Sequence, residues 1–75
     1  MRIFLEIFKE QTVEEMESGI PREEIRLDVS DLSEEQIISK KDEIVSSFGW
    51  SKYKAQIHYC YHDESPTMPC EIREI

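Results

Sequence analysis

Residues 32–50, LSEEQIISKKDEIVSSFGW, are the segment around which the other parts of the chain can be arranged. Ser33 is typical of a helix N-cap, and Gln36 three residues later completes a capping box that satisfies two backbone donors. Gly49 suits the left-handed residue that ends a helix, and Trp50 follows where a Schellman motif packs an apolar side chain back onto the last turn. The segment therefore predicts one long helix with both ends encoded.

Apolar residues recur at helical spacing within this segment and form a stripe that a sheet or another helix has to cover. The stripe consists of Ile37, Ile38, Ile44, Val45 and Phe48. A chain of 75 residues buries only roughly 60% of the surface that its unfolded form exposes, which leaves no room for a second core. We therefore expect residues 1–75 to form a single domain.

Four further segments have the pattern of β-strands. Residues 2–9 carry apolar side chains on both faces, which favours a central strand. Residues 25–29 and 53–62 alternate with period two, so each presents one face to a core. Residues 70–75 follow a turn with two prolines and complete a hairpin with the preceding strand.

A short helix after Thr12, ended by Gly19 and Pro21, completes the element order β-α-β-α-β-β. A strand, a crossover helix and a strand in one sheet are almost always right-handed and parallel. We therefore predict an α+β fold with a four-stranded mixed sheet in the order 2-1-3-4, both helices packed on one face and the opposite face largely open. The alternative is that strands one and two pair antiparallel across the short helix.

Charge and composition exclude several classes of function. The chain has 17 acidic and 9 basic residues and a formal charge of −8, which repels phosphate backbones and anionic lipid, so we expect neither nucleic acid nor membrane as a partner. No apolar run approaches the ~20 residues of a membrane span, which favours a cytoplasmic location. Cys60 and Cys70 are too few for a secreted disulfide framework and are expected to be reduced thiols, with an oxidised bridge as the alternative.

Acidic residues surround the start of the long helix and open the hairpin loop. If strands two and three run in the same direction, their carboxyl ends share one edge of the sheet, where open α/β sheets usually bind ligands. Clustered carboxylate oxygens suit a hard cation such as Ca²⁺, although acids in the first turn of a helix are already favoured by the helix dipole, and no EF-hand loop is present. The predicted calcium ligands are Asp28, Asp31, Glu34, Asp63 and Glu64.

His58, Cys60, His62 and Cys70 form the sharpest local group. Alternate residues of a strand share a face, so two of them can close on one Zn²⁺ ion, but the outer two of the three lie roughly 13 Å apart along an extended strand. A zinc site would therefore need two of the three residues together with Cys70 across the hairpin. No zinc-knuckle spacing is present, and no third group orients a Cys–His nucleophile, so an enzyme is the least favoured function.

The open face of the predicted sheet would carry Phe4 and Phe8. Two exposed phenylalanines on so small a sheet are typical of an interface, and a homodimer through this face would enlarge a small core. An adaptor that works by protein contact, through this face or through its acidic surface, is therefore the alternative to cation binding. If the protein is such an adaptor, adding a cation would not change the midpoint of its thermal unfolding.

The opening strand RIFLEIFKE, the helix SEEQIISKKDEIVSSFGW and the heavy acid excess resemble small uncharacterised acidic α+β proteins of methanogenic archaea. The resemblance extends over the whole length and contains no motif, so it transfers no functional residue. Some proteins of that kind have been linked to calcium, so the resemblance favours cation binding. Together with the acidic edge, it leads us to expect a non-enzymatic domain that binds a divalent cation weakly.

Overall fold

The computed structural model describes residues 1–62 and 64–75, and it places four strands and two helices in that part of the chain. The elements alternate as β-α-β-α-β-β, which confirms the α+β class. They are β1 (Arg2–Lys9), α1 (Val13–Glu17), β2 (Glu24–Asp28), α2 (Glu34–Phe48), β3 (Tyr53–Cys60) and β4 (Glu71–Glu74). The strands form one sheet in the order β2-β1-β3-β4.

All three strand pairs in this sheet are antiparallel, so the predicted mixed sheet is wrong. The alternative, with β1 and β2 antiparallel across the short helix, is the arrangement found. The rule for parallel crossovers does not apply to α1, because a five-residue helix with no buried side chain cannot cover the sheet and serves only as part of a turn. β2 and β3 both run opposite to β1, so they point in the same direction. Their carboxyl ends therefore lie on the same side of the sheet, at the end where β1 begins.

The prediction that both helices pack on one face is also wrong, because only α2 contributes to the core. Its Ile37 and Val45 are buried against β1 and β3. The two apolar side chains of α1, Val13 and Met16, are 67% and 59% exposed. The sheet is therefore covered by a single long helix.

Both ends of α2 confirm the prediction. Ser33 and Gln36 make the reciprocal capping-box contacts, and Gly49 has φ +67°. The Trp50 N–H donates to the carbonyl of Val45 at 3.1 Å, as in a Schellman motif. The apolar stripe is narrower than predicted: Ile38 and Phe48 are exposed, and Phe48 packs on Trp50 with ring centroids 5.3 Å apart.

The core lies between α2 and one face of the sheet, and alternation along the strands selects its members. The buried residues are Leu5, Ile7, Val29, Ile37, Val45, Ala55 and Ile57. We call the opposite surface the open face. It carries Phe4, Glu6 and Phe8 of β1, together with the side chains that the register places beside them, such as His58 of β3 and Arg26 of β2.

The two phenylalanines of the open face are half-buried, not fully exposed as predicted. The guanidinium of Arg26 lies 4.3 Å from the centre of the Phe4 ring, and that of Arg22 lies 4.7 Å from the centre of the Phe8 ring. Each cation shields a ring that would otherwise face water, which makes cation–π contacts a substitute for a covering element. No helix in residues 1–62 and 64–75 is both long and apolar enough to cross a bilayer.

Candidate metal centre

Two cysteines and a histidine meet where β3 ends on the open face. His58 and Cys60 are alternate residues of β3 and therefore share that face, and Cys70 immediately precedes β4. A ring nitrogen of His58 and the Sγ atoms of Cys60 and Cys70 lie within 4.8 Å of one another, close enough to hold one metal ion. This is the combination that the sequence required, two residues of the strand plus Cys70 across the hairpin.

The register of the hairpin explains why the two sulfurs meet. The last paired residues of the β3–β4 ladder are Tyr59 and Glu71. One step further, an antiparallel register sets Cys60 opposite Cys70, and directly opposed residues have Cβ atoms roughly 5 Å apart. Both thiols are free and half-buried. The cluster is thus an extension of the ladder beyond its last hydrogen-bonded pair.

His62 joins the cluster because β3 ends before it. Its Nδ1 lies 3.2 Å from the Sγ of Cys60 and 3.3 Å from the Sγ of Cys70. On an extended strand through residue 62, as the alternation predicts, His62 would lie too far from His58 to share an ion. The strand stops at Cys60, and His62 contacts both sulfurs, but the group of ligand atoms that all lie within 4.8 Å of one another consists of His58, Cys60 and Cys70.

A carboxylate orients the ring of His58. Its Nδ1 lies 3.3 Å from Oε2 of Glu6, while Oε1 of the same carboxylate accepts from the Gln56 amide at 2.7 Å. Arg26 approaches Oε2 at 3.3 Å. Burial acts to raise the pKa of Glu6, but the hydrogen bonds to Gln56 and His58 and the nearby positive charges outweigh it, so the pKa is lowered. An ionised Glu6 can only accept, so His58 Nδ1 carries the proton.

In the neutral imidazole, the other ring nitrogen of His58 then carries the lone pair. Nε2 is buried and finds no hydrogen-bond partner among residues 1–62 and 64–75. An unsatisfied buried polar atom costs roughly 1–3 kcal/mol, so such atoms call for an explanation. In metal sites a histidine that ligates through one nitrogen usually donates its other N–H to a carboxylate. Glu6 and His58 have this arrangement.

The two thiols differ in acidity. Hydrogen bonds from the side chain and the backbone N–H of His62 lower the pKa of Cys60. Removal from water, followed by the hydrogen bond and charge of Cys60, raises the pKa of Cys70, although the backbone N–H of Tyr61 partly offsets this. Cys60 is therefore the first of the pair to become a thiolate, the form that binds metal.

Among the predicted calcium ligands, Asp28 and Glu34 have partners of their own. Asp28 accepts from the hydroxyl and the N–H of Ser30 at 2.6 and 3.0 Å. Glu34 pairs with Arg73 at 3.1 Å.

Glu64 pairs with the terminal ammonium of Met1 at 2.7 Å, and Asp31 is exposed. Within the described part of the chain these four carboxylates do not form a group of three close enough to share an ion. Asp63 lies outside the described residues, and the calcium site stays a prediction.

Sequence reasoning missed Glu6 as part of the site. The signal was present, because an acidic residue between Phe4 and Phe8 on a central strand must find partners when its face is half-buried. Its partners come from β2 and β3, the two strands that flank it. Only the strand register, which sequence did not specify, identifies them.

A scan against protein-family models, a search of curated proteins and a search of solved structures gave no match.

Proposed function

We propose that this domain binds a borderline-soft divalent transition metal ion, such as Zn²⁺, through Cys60, Cys70, His58 and His62. The observation that carries the proposal is the buried, unpartnered Nε2 of His58, which Glu6 holds in the tautomer that a metal requires. Two thiolates and two imidazoles are a donor set that Zn²⁺ prefers. Hard cations such as Ca²⁺ prefer oxygen donors.

The separations within the cluster support this donor set. With Zn–S near 2.3 Å and Zn–N near 2.0 Å, sulfur and nitrogen ligands of one tetrahedral ion lie roughly 3.6 Å apart. His62 Nδ1 lies 3.2 and 3.3 Å from the two sulfurs. These two separations are within a few tenths of an ångström of that value, and the His58 nitrogen and the two sulfurs lie within 4.8 Å of one another, so small side-chain rotations would admit the ion. The hairpin turn supplies that freedom, since His62 and Cys70 both lie outside the strands.

Four protein ligands favour a stabilising or storage function over catalysis. Structural zinc sites use four protein ligands, whereas catalytic sites leave one position for water or substrate. In this domain the ion would join the end of β3 to the start of β4, which is a task for a structural ion. The proposal therefore agrees with the expectation of a non-enzymatic, cation-binding domain, but it places the ion at thiolates and imidazoles.

Titration with Co²⁺ tests the proposal, because cobalt replaces zinc and reports thiolate and tetrahedral coordination in its absorption spectrum. We expect thiolate-to-cobalt charge-transfer bands, visible d–d bands and loss of both when Zn²⁺ is added. Zn²⁺ at about 100 times its Kd stabilises the folded form by roughly 2.7 kcal/mol. In a domain of this size that raises Tm by roughly 10 °C or more.

Matched variants distinguish metal binding at the cysteine–histidine cluster from metal binding at the acidic residues around the start of α2. Cys70→Ser should remove most of the charge-transfer intensity, and His62→Ala should weaken binding. Asp31→Asn should leave the spectrum unchanged, because Asp31 is exposed and lies outside the cluster. A spectrum of the wild type without charge-transfer bands, in protein shown to be reduced and folded, would refute the proposal.

Calcium binding at the acidic edge is a separate hypothesis and has its own test. It is favoured by the shared direction of β2 and β3, which brings their carboxyl ends to one edge. Millimolar Ca²⁺ added to the same protein should then shift the amide resonances of residues 28–34 without changing the cobalt spectrum. Unchanged resonances would exclude a calcium site at Asp28, Asp31, Glu34, Asp63 and Glu64.

A further inference from the structure

We propose that Cys60 and Cys70 are also a site of reversible oxidation, in which a disulfide between them excludes the metal ion. The two residues occupy opposed positions one step beyond the last pair of the β3–β4 ladder, Tyr59 and Glu71. Directly opposed strand residues have Cα atoms about 4.5 to 5.5 Å apart, within the roughly 4.4 to 6.8 Å that a disulfide requires.

The positions of the sulfur atoms support the same conclusion. Both Sγ atoms contact one atom, Nδ1 of His62, and they lie within 4.8 Å of each other. Both residues lie outside the β3–β4 ladder, at the end of β3 and before β4, so small rotations can bring the sulfurs together without breaking a ladder hydrogen bond. Both side chains are half-buried, which leaves them accessible to a small oxidant.

The oxidant required is a hydroperoxide. The two thiols lose two protons and two electrons, a sulfur–sulfur bond forms, and the oxygen–oxygen bond of the peroxide breaks. Hydrogen peroxide yields two water molecules, and an alkyl hydroperoxide yields one alcohol and one water molecule. A dithiol reductant reverses the change by thiol–disulfide exchange and is itself oxidised to a disulfide.

Metal and disulfide compete for the same sulfurs. A sulfur in a disulfide has no thiolate charge to offer a metal, and a metal-bound thiolate is shielded from the oxidant. Oxidation would therefore release the ion, and the ion would protect the thiols. The competition rests on the proposed metal binding, but formation of the disulfide does not.

Intact-mass measurement under non-reducing conditions tests both parts. Reduced, metal-free protein treated with hydrogen peroxide should become two hydrogens lighter, lose both reactive thiols and stay monomeric. With Zn²⁺ at about 100 times its Kd only about one molecule in a hundred is metal-free, so the rate should fall roughly hundredfold. Cys70→Ser is the matched control, and it should give only oxygen adducts or intermolecular dimers.

Three outcomes would overturn the disulfide, its competition with the metal ion, or the metal site. Metal-free wild type that gains only oxygen atoms or dimers, like the control, overturns the disulfide. A disulfide that forms at the same rate with Zn²⁺, in protein that gives a positive cobalt titration, overturns the competition. A negative cobalt titration refutes the metal site, and the mass measurement on metal-free protein then supports or overturns the disulfide by itself.

Discussion

Glu6 shows how one carboxylate on a central strand can orient a candidate metal ligand on the neighbouring strand. It accepts from Gln56 and His58 and pairs with Arg26, so both of its oxygens have partners. The same contacts orient the His58 ring. The outcome is a histidine with a buried, unpartnered Nε2 in the same cluster as the two cysteines at the end of β3.

Replacing Glu6 by glutamine should weaken metal binding without removing a ligand. A neutral amide no longer requires the proton of His58 to sit on Nδ1, so the tautomer that exposes Nε2 loses its support. Loss of such a supporting group typically costs 10- to 100-fold in metal affinity. Competition between Co²⁺ and Zn²⁺ measures it, with Glu24→Gln on β2 as the control. Equal affinities for Glu6→Gln and the wild type would contradict a positioning function for Glu6.

Asp28 gives a residue-scale prediction about pH. Hydrogen bonds from the side chain and backbone of Ser30 lower its pKa below the ordinary value of an aspartic acid. A carboxyl with a lowered pKa in the folded state stabilises the protein above its unfolded pKa, and this contribution is lost as the pH falls through the folded pKa. Stability should therefore fall with acid below about pH 3.8.

Ser30→Ala should raise the pKa of Asp28 towards its ordinary value and make that acid-dependent loss smaller. Carboxyl chemical shifts followed through an acid titration measure the pKa, and urea denaturation at several pH values measures the stability. Ser47→Ala on the exposed surface of α2 is the control and should leave the titration unchanged. An Asp28 pKa that does not move in Ser30→Ala would show that other groups set it.

The ligands of the candidate site could be predicted from the sequence, but their geometry could not. His58 and Cys60 share a face because alternation alone requires it. Which two of His58, Cys60 and His62 would join Cys70 could not be predicted, because strand length is a tertiary property: β3 ends at Cys60 instead of running through residue 62. The role of Glu6 depends on which strands flank β1, and no local pattern encodes strand neighbours.

At the scale of elements, the C-terminus of α2 depends on one backbone conformation. Gly49 has φ +67°, and a Cβ placed there would meet no atom within 4 Å. The cost of Gly49→Ala is therefore backbone strain alone, about 1–2 kcal/mol. Thermal denaturation should show a Tm lower by roughly 4–8 °C for each kcal/mol.

Gly19→Ala is the matched control, because Gly19 has φ +72° and equally open surroundings. It follows α1, which buries no side chain, so the chain there can relax locally without disturbing the core. We expect a smaller loss of stability than for Gly49→Ala. An equal or larger loss would mean that the α1 segment contributes more to folding than its exposure indicates.

Helix ends were predictable at this scale and strand directions were not. Capping boxes and left-handed glycines are local, so Ser33, Gln36 and Gly49 specify α2 by themselves. Strand direction depends on whether the intervening helix can cross and cover the sheet. Residues 13–17, VEEME, have too few apolar side chains to do so. This low apolar content favours the antiparallel alternative.

For the whole molecule, a bound ion should act chiefly on β4. This strand has four residues, all exposed, at an edge of the sheet, and Cys70 directly precedes it. An ion shared with β3 would tie β4 to the sheet, so Zn²⁺ should slow amide hydrogen exchange in Glu71–Glu74 by roughly tenfold or more. Residues Val13–Glu17 of α1 are the internal control, and uniform slowing in both segments would contradict a local effect.

The two outer strands of the sheet also determine how copies of this chain can meet. β2 carries Glu24, Arg26 and Asp28, and β4 carries Glu71, Arg73 and Glu74. Charged residues along a sheet border oppose fibril-like growth by addition of further strands. A homodimer would therefore have to stack flat, through the Phe4 and Phe8 side of the sheet, and each copy would then bring its cysteines towards the contact instead of leaving them on a free surface.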